Sequence, residues 1–142
     1  MLPDTIHKLP ESERFAYARV LAAIARSDDE ITIEEMAMFE QRLGTALLSP
    51  GQRNVIRQSL KSDPIPLPEL LEDIGPEGGK LALRDAVMMA AVDGNVDDDE
   101  RANLDLIAKE LGISDESVEK LLAWTMNGYA WMQEGFDLLE SL

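Results

Sequence analysis

The stretch Ser27-Asp28-Asp29-Glu30-Ile31-Thr32-Ile33-Glu34-Glu35 returns 65 residues later as Val92-Asp93-Gly94-Asn95-Val96-Asp97-Asp98-Asp99-Glu100. At the same offset Arg19 falls on Arg84, Ala25 on Ala90, Asp28 on Asp93, Glu35 on Glu100 and Ser49 on Ser114. Recurrence at a fixed offset marks a duplicated supersecondary unit. Each copy lies between two runs of helical periodicity, so the repeated element is an acidic turn joining a helix pair. One Asp and one Glu hold matching places in both copies.

Working outward, residues 11 to 27 carry Phe15, Ala18, Leu21, Ala22 and Ala25 at helical spacing, and 33 to 44 carry Met36, Phe39 and Leu43. Ser49-Pro50-Gly51-Gln52 opens a third helix through about Leu60, with Ser49 as cap, Pro50 in the first turn and Gln52 reaching back. The second half predicts helices near 79 to 92, 98 to 111 and 115 to 126, then a last one at about 129 to 140. Between Lys61 and Lys80 lie Pro64, Pro66, Pro68 and Pro76 with Gly75, Gly78 and Gly79, which predicts a stiff connector over 62–78 with one short helix at Pro68 to Ile74. No alternating β pattern of useful length occurs. The reading is all-α: a single domain over 1–142, a bundle of seven or eight helices built from two pseudo-repeated halves, 11–61 and 79–126. With 142 residues, 45% of them apolar, the chain can bury a core without staples.

Charge is divided unevenly. Residues 1 to 65 hold 8 Lys/Arg against 10 Asp/Glu, whereas residues 66 to 142 hold 5 against 18, so the net −15 divides as −2 and −13. Such a surface repels phosphate backbones and anionic lipid heads, which argues against nucleic-acid binding and peripheral membrane docking. Cations and basic protein surfaces are the natural partners. Without cysteine there is no disulfide, thiolate zinc site or cysteine nucleophile. His7, the chain's one histidine, lies in the leader before the first helix and cannot build a histidine-based catalytic or metal site. Gly78-Gly79-Lys80 lacks the rest of a phosphate-binding loop. No apolar run approaches a membrane span and Met1-Leu2-Pro3-Asp4 lacks a signal pattern, so the expectation is a cytoplasmic protein that is not an enzyme.

In the acidic turns, Asp28 and Asp93 extend the apolar stripe of each incoming helix, and Glu35 and Glu100 extend that of each outgoing helix. These carboxylates should point toward the mouth of the helix pair, where each needs a donor, a cation or a proton. Capping supplies one answer: Thr32 with Glu35 and Asp97 with Glu100 fit the S/T/D-x-x-E box, and Gly94 suits a helix C-terminus. A second answer is a divalent-metal site formed by Asp28, Glu35, Asp93 and Glu100 about a pseudo-twofold axis, oxygen ligands that suit a hard divalent cation. High-affinity EF-hand calcium binding is not expected, because loop position six is Asp98 in place of Gly, position twelve is Leu104 in place of Glu, and the first copy has Thr32 at position five.

The run Ala90-Ala91-Val92-Asp93-Gly94-Asn95-Val96 to Glu100, followed by Leu111-Gly112-Ile113-Ser114, resembles the tellurite-resistance TerB-like family, best over 81 to 126 and more weakly over 15 to 60, where Asp29 replaces the glycine. The resemblance implies an all-helical bundle associated with tellurite and other chemical stress, with metal-binding acidic residues matching Asp93 and Glu100 and, from the repeat, Asp28 and Glu35. It also implies a related domain in a membrane-anchored DnaJ-type co-chaperone. The expected function is a stress-linked interaction module with a candidate divalent-metal site, and the alternative is a metal-free scaffold or co-chaperone-like adaptor. Trp124, Gly128, Trp131, Gly135 and Leu139 share one helical face with Met132 and Phe136 beside them. That face is expected to pack on the protein's own core, the other reading being a partner or a second copy of the chain.

Overall fold

The computed structural model describes residues 4–26 and 30–142; Asp28 of the repeated turn lies outside them. A short 3-10 turn, Ile6–Lys8, leads into seven α-helices among the described residues: α1 Glu11–Ala25, α2 Ile33–Thr45, α3 Pro50–Ser59, α4 Leu67–Leu71, α5 Pro76–Ala90, α6 Asp98–Glu110 and α7 Asp115–Ser141. No strand occurs among them. The boundaries recur at the offset seen in the sequence, α1 mapping onto α5 and α2 onto α6 at both ends, and α3 onto α7 at its start.

Local chemistry accounts for these boundaries. Ser49 and Gln52 close a full capping box at α3, with Gln52 N donating to Ser49 Oγ at 3.2 Å and Ser49 N to Gln52 Oε1 at 3.1 Å. Ser114, at the matching position, accepts from Ser117 N at 3.2 Å to open α7. In the turn after α5, Gly94 takes φ +83, the left-handed conformation that glycine enters without cost, and its N–H donates to the Ala91 carbonyl at 2.9 Å. The helix α5 begins at Pro76, and its glycines serve a close approach by α1. Glu13 accepts from Gly75 N at 3.0 Å and Gly78 N at 3.2 Å, placing a carboxylate at the positive end of the α5 dipole. A Cβ at Gly78 would lie 2.7 Å from that carboxylate oxygen.

The core lies between α1 and α5, with α2, α3 and α4 packed around α1 and α6 and α7 around α5. Tyr17, Leu21, Phe39, Leu43, Leu83, Leu104 and Ile107 are fully buried within it. So is Ile6, which draws the leader segment into the core. At its centre sits Asp85, 0% exposed. It accepts from Arg42 Nε at 3.0 Å, from Arg84 Nε at 2.8 Å and Nη2 at 3.1 Å, and from the Tyr17 hydroxyl. Arg42 also pairs with Asp4. Two carboxylates and two guanidiniums thus form a neutral cluster tying the leader, α1, α2 and α5. Burial, with the negative charge of Asp85 beside it, holds the Tyr17 hydroxyl well above its ordinary pKa, so it remains a donor.

The C-terminal part differs from the sequence expectation in two ways. In place of separate helices at 115 to 126 and 129 to 140 there is one 27-residue helix. Gly128 keeps negative φ, and Val118, Leu122, Thr125 and Tyr129 hold one continuous stripe against α5 and α6 across it. The aromatic face also does not pack on the protein's own core beyond that point. Trp131 is 71% and Phe136 56% exposed, because the bundle ends before the helix does.

Removing one partner of the buried cluster strands a charge. Arg42→Met should cost about 3 to 5 kcal/mol in urea unfolding, whereas Arg57→Met, which breaks an exposed pair with Glu40, should leave the unfolding curve almost unchanged. A second expectation follows from Asp4. Burial pushes its carboxyl up, but the bonds from Arg42 and Ile6 N and the charges of Arg42 and Arg84 outweigh that and leave it below its ordinary value. A depressed carboxylate stabilises the fold fully above its unfolded pKa, and that contribution is lost as pH falls through the folded value. The acid limb of a stability–pH curve should therefore flatten in Asp4→Asn.

Candidate functional site

The two acidic turns open at the same end of the bundle. Thr32 caps α2, its Oγ1 accepting from Glu35 N at 3.1 Å. Asp97 caps α6 in a full box, with Glu100 N donating to Asp97 Oδ1 at 2.8 Å and Asp97 N to Glu100 Oε2 at 3.2 Å. Capping is thus present in both turns.

The same two glutamates line one crevice. Its walls are Ile24 with Met89, Ala25 with Ala90 and Glu35 with Glu100, three pairs each separated by the 65-residue offset, together with Asn103. The crevice therefore lies where the two halves meet as equivalents. Its volume, about 10 Å³, is that of a single water or ion and excludes an organic substrate. Glu35 is buried at 8% exposure and Glu100 is half-buried. Asp93 stands exposed in its turn and does not line the crevice. Its charge is felt by Tyr129, whose hydroxyl is pushed up to about 12 by burial first and then by Asp85 and Asp93. That hydroxyl donates to the Met88 carbonyl at 2.6 Å, fastening α7 to α5. Of the four sequence candidates, Glu35 and Glu100 are brought together, Asp93 stands apart and Asp28 is outside the described residues. No group of three or more His, Cys, Asp or Glu able to hold a metal occurs among the described residues. Two carboxylates can attract a hard cation, and their oxygen chemistry suits calcium or magnesium better than a softer metal.

The second candidate is the end of α7. Leu121, Trp124, Gly128, Trp131, Gly135, Leu138 and Leu142 repeat at alternating spacings of three and four, and Met132, Phe136 and Leu139 prolong the neighbouring stripe that Val118 to Tyr129 bury. From Trp131 onward both stripes are exposed. Glu134, Asp137 and Glu140 occupy the opposite side of the helix at its 100° advance per residue, and no Lys or Arg follows Lys120. The sequence reading found the stripe but missed the buried Asp85 cluster. Asp85's place among Ala82, Leu83, Ala86 and Met89 was the available signal, since a carboxylate on an apolar face requires a partner.

No helix among the described residues is long and apolar enough to cross a membrane. No family model matches the chain. No solved structure matches it significantly. Among curated proteins it is similar to the co-chaperone protein DjlA of Aliivibrio fischeri, 29% identical over 129 residues. That match covers 84% of this chain and 45% of DjlA, so the chain spans less than half the length of the relative.

The exposure of α7 sets a contrast in stability. Trp131→Ala should change the unfolding free energy by no more than about 0.5 kcal/mol, whereas Phe39→Ala, from a fully buried ring, should cost about 3 to 5 kcal/mol. Paired denaturation curves measure both, and an equal loss in the two would place Trp131 inside the fold.

Proposed function

We propose that this chain is a non-enzymatic helical interaction module of co-chaperone type, TerB-like in kind, that docks a protein partner through the projecting end of α7. The observation that carries the reading is the amphipathic run from Trp131 to Leu142, whose apolar side chains have no part of the bundle to cover them. Contiguous exposed apolar surface of this kind marks an interaction site on a folded protein. The similarity to a co-chaperone supports it, as does the TerB-like resemblance, which implies a related domain in such a protein. A stress-linked role of the tellurite-resistance sort follows from that resemblance alone. The acidic second half would favour a basic partner surface and speed its approach. The matching test is capture from lysate by immobilised wild type and by Trp131→Ser with Phe136→Ser. The variant should lose the captured protein, while neutralising Asp97, Asp98 and Asp99 or raising salt should weaken capture without abolishing it. Capture that is indifferent to the α7 changes would sink the reading.

A second reading has its own observation, the pairing of Glu35 with Glu100 across an ion-sized crevice. In this reading a hard divalent cation sits between Glu35 and Glu100 and fastens the two halves. Millimolar calcium, magnesium, manganese or zinc should then raise the melting temperature by mass action, chelator should reverse the rise, and Glu35→Gln with Glu100→Gln should abolish it. No cation response in the wild type would leave these glutamates to capping alone.

A further inference from the structure

A groove on the face of α1 away from α5 encloses about 480 Å³, a volume suited to one or two large side chains. Phe15, Ala23, Val55 and Ile65 give it apolar walls, and Arg19 and Arg26 add positive charge. Arg19 makes no hydrogen bond or ion pair among the described residues. Arg26 donates to the Ser59 carbonyl at 2.7 Å and forms no ion pair among the described residues. Asp63 also lines the groove, so its described lining carries one net positive charge in a chain of net −15.

We propose that this groove receives the end of α7 from a second copy of the chain. The inference rests on the reading of α7 as the contact element and names its occupant. Complementarity carries it: the helix end is apolar on one side and acidic on the other, with no cation after Lys120, while the groove is apolar with two arginines. An amphipathic helix laid in such a groove places its aromatic anchors inward and its carboxylates beside the arginine heads. The charge division selects this pairing over two α7 ends against each other. Helix on helix sets the −13 half against itself, whereas helix on groove sets it against the −2 half. Each chain carries one helix end and one groove, so copies either close reciprocally as a dimer or extend head to tail.

Sedimentation of the full chain, alone and in mixtures, tests this. Wild type should associate with rising concentration. Trp131→Ser with Phe136→Ser, which spoils the helix, and Arg19→Glu with Val55→Asp, which spoils the groove, should each weaken self-association by about 100-fold. Mixing the two variants should restore a species of twice the monomer mass, since one supplies an intact groove and the other an intact helix, and that recovery also shows both to be folded. A groove variant that associates like wild type would overturn the groove while leaving α7 as a contact element. A helix variant that associates like wild type would remove both. A wild type that stays monomeric, or a mixture of two normally melting variants that fails to pair, would overturn the second copy as occupant and leave α7 to a different protein.

Discussion

A carboxylate with no access to water at the centre of the bundle constrains everything built around it. Asp85 is 0% exposed, and a buried ion without partners costs several kcal/mol. Arg84 precedes it on the same helix, but Arg42 comes from α2 and Tyr17 from α1, so the cost is met only when three helices stand in one register. Asp4, reaching in from the leader, balances the second guanidinium. An apolar core of similar volume would tolerate small slides of α1 over α5. This one does not, because a slide of one turn, about 5.4 Å, would carry the Tyr17 hydroxyl away from Asp85.

That register places the acidic turns. With α1 and α5 locked side by side, Ile24 and Ala25 end opposite Met89 and Ala90, and the glutamates opening α2 and α6 face one crevice. The pseudo-equivalence of the halves is therefore expressed at the mouth, where the crevice walls are related pairwise. It is not expressed at the centre: Tyr17, Arg42 and Asp85 map at the 65-residue offset onto Ala82, Ile107 and Val20, none of them polar. The cluster is asymmetric, and a duplicated unit held by it has one way to assemble.

How much of this the sequence discloses depends on range. Helix starts at Thr32, Ser49, Asp97 and Ser114 are readable because a cap and the backbone N–H it accepts from lie three residues apart, and Gly94 is readable because its conformation is local. The partnership of Asp85 with residues 43 and 68 positions earlier is not, since nothing in the periodicity of α5 says which helix will face it. The α7 stripe shows the same limit from the other side. Its spacing is visible in the sequence, but whether a core lies opposite Trp131 is a property of where the other helices stop. Asn127-Gly128 suggests a break when read alone, yet packing of Leu122, Thr125 and Tyr129 on the bundle overrides the roughly 1 kcal/mol that glycine costs a helix interior.

The two halves part company at one point, and the exposed surface begins there. At the repeat offset Leu60, just past the end of α3, corresponds to Thr125. In the first half the chain then leaves the helix through Lys61-Ser62-Asp63-Pro64, where proline cannot continue the hydrogen-bond ladder. In the second half no proline follows, and the helix runs sixteen residues further, from Met126 to Ser141. The first four retain contact through Tyr129; the remainder extends past the bundle. The extension has no helical counterpart at the repeat offset in the first half, and among the described residues no core lies against its apolar side chains from Trp131 on. Exposing them carries an aggregation cost, which the three carboxylates on the opposite face reduce by keeping like surfaces apart. A helix so built is poorly matched to itself and well matched to a cationic apolar groove, so its acidity acts as a filter on which surface it meets.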